Sequence, residues 1–442
     1  MHLGEYAVKK AVKLGMSEVE AYIKKTKTIN VLFADEIHNM KTVDSYGIGI
    51  RVIDGKKVAV QSSSIYTKEE VDSCVEKAVS IARASPEDPN WNSLPNKYGS
   101  TTVEGVNDKV IENLSYDELN DTIIATINRA SENDRKVKVT RGSITVTSST
   151  TSIINNYNDI IERQSTGVTF GINVKAIEGG ESTGSEYQQT RYWKKMDFMG
   201  LTDKAADKSL KYINAKAIAS TKMPVILDNQ LSANILGIMI APNISSESIQ
   251  KGRSILAQKI NTQIACEDFT VIDDGTKKDG VFTREFDDDG IPTQKTEIIS
   301  KGVLKNFIYD HYRAAKENIP STGNAGRQYW SAPGPTTNNF ILKAGSISRE
   351  EMIRDTKQGI LIEDTIGEWL SRPESGELNA TITHGYLIEN GELTKPITNV
   401  VISGNYFDIL MNKIEAFGND SNNAGKVYSP TIKISELTIA GK

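Results

Sequence analysis

Only two cysteines, Cys74 and Cys266, occur in 442 residues, so no disulfide framework can form and a reducing, cytoplasmic setting is expected. Histidine is almost as scarce. The four are His2, His38, His311 and His384, and no two stand at i, i+3 or i, i+4, the spacings that let one helix aim two imidazoles at one metal ion. A single-helix zinc motif is thereby excluded. No apolar run approaches the ~20 residues of a membrane helix, and the longest, such as Ile235 to Ala241, stop well short. The Lys-rich amphipathic N-terminal segment lacks the apolar stretch of a secretion signal. Charge is not one-sided either: 57 acidic against 52 basic residues give a net charge of −5. Lysines and arginines never cluster with interleaved aromatics, which argues against nucleic acid. There is no Gly-x-Ser-x-Gly elbow. Gly47-Ile-Gly49 lacks the third glycine of a dinucleotide loop, and Gly418 to Gly425-Lys426 has the wrong spacing for a phosphate loop, with Val427 where a magnesium-binding hydroxyl belongs.

What remains is ordinary soluble-protein composition, 25% charged and 38% hydrophobic, on a chain long enough for two or three cores. The front of the chain reads as helix, strands, helix. Tyr6–Leu14 has helical periodicity, and Glu18–Lys25, Ile29–Phe33 and Gly47–Ile53 read as strands. Asp54-Gly55 marks a hairpin leading to Lys57–Ser62, and Thr67-Lys-Glu-Glu70 is a capping box that starts a helix burying Cys74 as a small hydrophobe. The same order returns from Ser115-Tyr-Asp-Glu118, a second capping box. Strands follow at Val137–Thr147, Ser152–Tyr157, Gly167–Ile177 and Gly184–Gln189, and a helix over Thr202–Ala219 closes the unit. This pattern predicts a duplicated helix–antiparallel sheet–helix unit, with two separate half-buried sheets and an α+β class.

After Pro224 the texture becomes Gly-, Asn- and Thr-rich with short strands, predicting a mostly β region that ends in an exposed Gly441-Lys442 tail. Three units are expected, over 1–95, 96–222 and 223–442. The acidic run Asp287-Asp-Asp-Gly290 suggests calcium, but registering Gly290 at loop position six puts Thr296 where the bidentate glutamate belongs. It reads instead as a solvated turn. The loops Gly323–Gln328, Pro333–Asn339 and Gly418–Asn423 are rich in amides and hydroxyls that could line a cleft for an extended peptide. The candidate substrate-binding residues are Arg327, Asn338, Asn339, Asn419 and Asp420; simple turn chemistry explains the same composition.

Several of these stretches resemble the TldD/PmbA family, once called modulators of DNA gyrase. They are Gly280-Val-Phe-Thr-Arg-Glu-Phe-Asp-Asp-Asp-Gly290, the segment Lys295–Asp310, Thr336-Thr-Asn-Asn339, Gly385-Tyr-Leu-Ile-Glu-Asn-Gly-Glu392, Ile402-Ser-Gly-Asn405 and Gly418-Asn-Asp420, with Gly47-Ile-Gly-Ile-Arg-Val52 near the front. The resemblance implies a heterodimeric zinc protease whose TldD-type subunit carries a His-Glu-x-x-x-His helix and a distant cysteine ligand. In this chain the corresponding helix reads Leu231–Pro242, which puts the two histidine positions at Gly237 and Pro242 and the general base at Ile238. Lys426-Val-Tyr-Ser-Pro430 occupies the cysteine region. The side chains of Gly237, Ile238 and Pro242 cannot bind zinc or move a proton, and the late cysteine is missing.

By that resemblance the chain is expected to be a TldE/PmbA-type subunit without metal or catalytic residues of its own, inactive alone. Zinc is expected in a TldD-like partner, unfolded or extended peptide as substrate, and a homodimer when the partner is absent. Two alternatives stay open. One is an interaction or regulatory protein, such as a topoisomerase modulator or a homodimeric peptide binder. The other is an independent enzyme built around Arg327, His384 and Asp420.

Overall fold

The computed structural model describes residues 2–134 and 136–441. Two sets of elements repeat in order: α1 (Leu3–Lys13), β1 (Glu18–Phe33), β2 (Ile37–Asp54), β3 (Lys57–Ser63) and α2 (Lys68–Ala84), then, after the short α3 (Lys109–Glu112), α4 (Tyr116–Asn133), β4 (Val137–Asn155), β5 (Ile161–Ile177), β6 (Glu181–Thr190) and α5 (Phe198–Lys211). Both capping boxes start helices as expected, with Thr67 Oγ1 accepting from the Glu70 amide and Ser115 Oγ from the Glu118 amide.

The duplicated halves were expected to make two sheets, but they make one. The strand order is β3-β2-β1-β4-β5-β6, joined where β1 runs antiparallel to β4 from Glu20 opposite Asn155 to Phe33 opposite Gly142. Alternation specifies which face a strand buries and says nothing about its neighbour, so two half-sheets with matching faces join and pair their inner edges. Both helix layers cover the same face. Val19, Ala21 and Ile23 of β1 pack under α1 and α2. Ile29, Val31 and Phe33, of the same parity, lie in the second cluster with Leu119 of α4 and Ala205 of α5. Cys74 sits in the first cluster, its thiol pushed up to about 11 by burial.

The C-terminal region holds two large sheets and a two-stranded ribbon, β11 (Ala325–Gly326) with β12 (Gly334–Pro335). A ring of five strands closes on itself: β7 (Thr221–Leu227) lies between β14 (Gln358–Ile366) and β21 (Ile432–Ala440), followed by β17 (Val400–Asn405) and β15 (Glu377–Glu389), which pairs back to β14. The hairpin strand β16 (Glu392–Ile397) adds to β15, and β18 (Ile414–Phe417) adds to β21. The second sheet has the order β10 (Val303–Leu304), β9 (Lys295–Ser300), β8 (Val271–Asp274), β13 (Phe340–Leu342), β20 (Val427–Ser429), β19 (Asn422–Ala424). Helix α6 (Asn229–Met239) shares one large core with both sheets, burying Leu231, Ala233, Ile235, Leu236 and Met239. Among the described residues no helix is long and apolar enough to cross a membrane.

Other expectations change. The predicted pairs Glu18–Lys25 with Ile29–Phe33, and Val137–Thr147 with Ser152–Tyr157, are single long strands, β1 and β4. Helix α5 begins four residues earlier than predicted, capped by Asp197 on the Gly200 amide, and ends at Lys211. Tyr212 leaves it to bond Glu363. Asp287-Asp-Asp289 is not a solvated turn: the three are 0%, 5% and 1% exposed. Gly441 is no free tail either, because its amide donates to Ser220 Oγ. Lys442 lies outside the described residues.

Candidate functional site

The face of the six-stranded sheet opposite the helices is polar, and the C-terminal region closes over it. Between them lie two cavities of about 620 and 610 Å³. The first is bounded by β4, β5 and β6 on one side and by Gln230, Leu231 and Asn234 of α6 on the other. The second has a floor set by sheet register. Lys24 on β1 faces Thr151 on β4, which faces Arg163 on β5; one step along, Thr26 faces Ser149, which faces Ser165. Small hydroxyls on alternate residues keep this surface open and wet, and the residues between them, Lys25, Ser148, Thr150 and Gln164, are polar and lie outside the core clusters. The roof comes from 281–285, 326–328, 336–338 and Lys426.

At the end of the second cavity the Asp287 run ties the two regions together. Glu20 and Arg51 are cross-strand neighbours, and Arg51 Nη2 donates to both Glu20 (3.1 Å) and Asp289 (3.3 Å). Arg327 Nη1 donates to the other Glu20 oxygen at 2.6 Å, and its guanidinium lies 4.2 Å from the Tyr22 ring centroid. Arg163 donates to Asp288 at 2.5 Å, and Asp288 also accepts from the Arg327 amide and the Tyr22 hydroxyl. Burial alone would raise the Asp288 carboxyl, but Arg163 and Arg284 overcome it and hold it down at about 2. Asp287, buried with Asp289 beside it, is pushed up to about 7 although it accepts the Ala325, Asp289 and Ile291 amides. Gly47 and Gly49 of β2 are needed here for close approach. A Cβ on Gly49 would stand 1.9 Å from the Tyr329 carbonyl oxygen, and one on Gly47 would stand 2.2 Å from the Tyr329 ring.

The residues singled out from sequence fall in different places. Arg327 and Asn338 line the second cavity. The Asn338 amide donates to Asp273 and its oxygen accepts from Arg284. Asn339 is fully buried, holding the Asp274 carbonyl and the Phe282 amide. Asn419 sits on an exposed turn with its amide on the Ser346 carbonyl. Asp420 accepts from Asn229 at the start of α6 and from the Thr431 amide and hydroxyl, which binds the helix N-terminus to β21. His384 is a strand residue of β15, its Nε2 on the Thr183 carbonyl and its ring edge-on to Tyr212. The contacts of Arg327, His384 and Asp420 share no residue, so the structure does not assemble them into one site. Lys24, Arg163, Arg191, Arg284 and Lys426, which line the second cavity, were not singled out. The only sequence trace is a run of hydroxyl residues alternating with apolar ones on β4 and β5.

Helix α6 packs on β20, so the structure brings together the two segments where the resemblance places metal ligands. They meet through Gly237 and Val427: a Cβ on Gly237 would lie 3.0 Å from Val427 Cγ2. Ile238 packs against the large core and Pro242 is exposed on the following 3₁₀ turn. The nearest polar contact between α6 and β20 is Ser232 Oγ to Ser429 Oγ, 2.7 Å. None of Gly237, Ile238, Pro242 and Val427 carries a side-chain N, O or S, and among the described residues no three His, Cys, Asp or Glu side chains are grouped to hold a metal. This donor set does not fit zinc.

Residues 220–441 match the PmbA/TldA metallopeptidase C-terminal domain, 19–82 its domain 1 and 109–212 its central domain. An uncharacterised protein of Methanocaldococcus jannaschii is 30% identical over 430 residues, 96% of this chain and 98% of that one. The chain belongs to the PmbA/TldD family. Metalloprotease PmbA of Escherichia coli O157:H7 is 23% identical, covering 99% of this chain and 96% of that protein. The crystal structure of TldE from Thermococcus kodakarensis has the same fold, with a TM-score of 0.93 over 99% of this chain and 100% of that one at 23% identity. Metalloprotease names among PmbA/TldD relatives imply metal use in the family, whereas the α6–β20 junction here presents only carbon side chains where the ligands would stand.

Proposed function

We propose that this chain is the non-catalytic subunit of a two-chain metalloprotease, pairing with a TldD-like subunit that holds the zinc and shaping the cleft that receives unfolded or extended peptide. One observation carries the reading: Gly237 meets Val427 in van der Waals contact at the junction where a metal-binding relative needs two ligands. A protein-bound zinc ion takes lone pairs from about three side chains; Gly237, Ile238, Pro242 and Val427 have none to give, and the Ser232 and Ser429 hydroxyls are neutral and bonded to each other. The chain's own contribution is a surface: a hydroxyl-lined floor on β4 and β5, with Arg327 and Asn338 at its border. Asn339 holds the Asp274 carbonyl and the Phe282 amide beside it, while Asn419 and Asp420 pin the turn after β18. Such polar walls suit a peptide backbone.

The test is to purify the chain alone and together with a TldD-like subunit, then measure bound metal and cleavage of an unfolded peptide. Metal and cleavage should appear only with the partner. Stoichiometric zinc with cleavage by the isolated chain overturns the reading. Recovery of a homodimer that binds peptide but joins no protease subunit overturns the heterodimer and favours the regulatory alternative.

A further inference from the structure

The net charge of −5 is not shared by the second cavity, where six cations, Lys24, Arg163, Arg191, Arg284, Arg327 and Lys426, face two carboxylates, Glu285 and Asp288. Asp288 is taken by Arg163, and Arg327 by Glu20. Among the described residues three of the cations form no ion pair with a carboxylate. Arg191 is 9% exposed and spends its guanidinium on three backbone carbonyls, those of Gly280, Thr166 and Thr283. Lys426 Nζ donates only to the Thr336 hydroxyl and the Thr337 carbonyl. Lys24 Nζ has no hydrogen-bond or ion-pair partner among the described residues. Burial lowers the pKa of all three, Arg191 to about 10, which is the cost of holding charge in a partly dry pocket without an anion. A ligand bearing one negative charge relieves that cost.

The rest of the cavity says what carries the charge. A volume of about 610 Å³ far exceeds a lone carboxylate or phosphate, so the anion must be the end of something larger. Around the cations stand the hydroxyls of Thr147, Ser149 and Ser165 on the floor and of Thr336 and Thr337 on the roof. The Thr337 hydroxyl is buried with no partner. Such walls offer hydrogen bonds to the amides of a peptide backbone, and Tyr22, Val281 and Phe282 beside them can pack on its side chains. We propose that Lys24, Arg191 and Lys426 form a pocket for the free α-carboxylate of an extended peptide, with the hydroxyl floor bonding the last residues of its backbone. The proposal rests on the peptide-cleft reading above and names which end of the peptide this chain grips.

Fluorescence anisotropy on the isolated full-length chain tests it, using a labelled unstructured peptide as free acid and as C-terminal amide. The free acid should bind about tenfold more tightly or better, with the difference shrinking as salt rises. Lys24→Gln, which breaks no hydrogen bond or ion pair among the described residues, should remove about tenfold from free-acid binding and leave the amide unchanged; Lys426→Gln should do the same. Inorganic phosphate should compete weakly. Equal affinity for acid and amide, no binding of either, or phosphate competing as well as the peptide itself overturns the proposal. Because this readout needs neither zinc nor a partner, it can fail while the subunit reading stands, and it can succeed if zinc is found.

Discussion

Arg327 and Glu20, 307 positions apart, form an ion pair of 2.6 Å between side chains 4% and 0% exposed. Removing Arg327 leaves Glu20 dry with only Arg51, itself shared with Asp289, to balance it; the cost is up to about 3–5 kcal/mol, more than the pair contributes over an apolar replacement. Arg327→Met should therefore lower stability by about that amount in chemical denaturation. Arg129→Met, which breaks a half-exposed pair with Asp203, should change it little. A small effect at Arg327 would show that the interface between sheet and C-terminal region is wetter than described.

Gly49→Ala should be among the most damaging single-carbon changes on the sheet. Its new Cβ meets a backbone oxygen at 1.9 Å, and the Tyr329 loop must move to admit it. A loss of about 1–3 kcal/mol or more is expected. Gly171→Ala meets Ser143 Oγ at 3.4 Å, an ordinary contact, and should be tolerated. Thermal melts of the two variants decide the matter, and equal melting temperatures would contradict the close approach at Gly49.

Stability should fall between pH 4 and pH 7. Asp287 is raised to about 7, and Asp273 and Asp310 to about 6, in each case chiefly by burial. A carboxyl raised in the folded state contributes stability that is complete below its unfolded value, about 3.9, and is lost as pH climbs through the folded one. Asp288, held at about 2, acts the other way: its contribution is complete above the unfolded value and disappears as pH drops toward 2. His2, lowered by burial, opposes the first trend weakly near neutrality. Urea denaturation across this range should place the maximum near about pH 4, with stability declining toward pH 7. A maximum above pH 7 would mean the three aspartates ionise freely.

Gly237→His restores a ligand type at one expected position but not a site. The ring must displace Val427, and neither Pro242 nor Ser429 can complete a coordination shell. A loss of about 1–3 kcal/mol is expected, without bound zinc by elemental analysis. Zinc uptake by this variant would show that other ligands stand within reach.

Much of this architecture was readable because alternation and capping act locally. The failures have local causes too. Strand β1 reads as two because Lys25 and Lys27 lie in the gap between the two helix-covered patches, where the inner face is exposed and the apolar alternation lapses. Strand β4 crosses the same gap at Ser148–Thr151. Asp287-Asp-Asp289 has the composition of a wet turn, and Arg51 arriving from β2 and Arg163 from β5, with Arg284 four residues before Asp288, make it a dry one. Helix α5 was placed late because Asp197 was not taken as its cap, and too long because Tyr212 is claimed by Glu363, 151 residues away. The candidate loops were legible as polar, but their amides are spent on holding the loops, and the unpaired cations come from β1, from the end of β6 and from the β19–β20 turn. Pairings over such separations leave no periodic trace.

The β1–β4 seam has a consequence for how such a chain can be divided. Its two members run in opposite directions and contribute equivalent halves, so they meet as two copies of one protomer meet about a dyad. A fragment carrying α1 through α2 alone would end in a bare ladder from Glu20 to Phe33, matched in direction and apolar face to its own duplicate. Expressed by itself, that fragment should self-associate through this ladder.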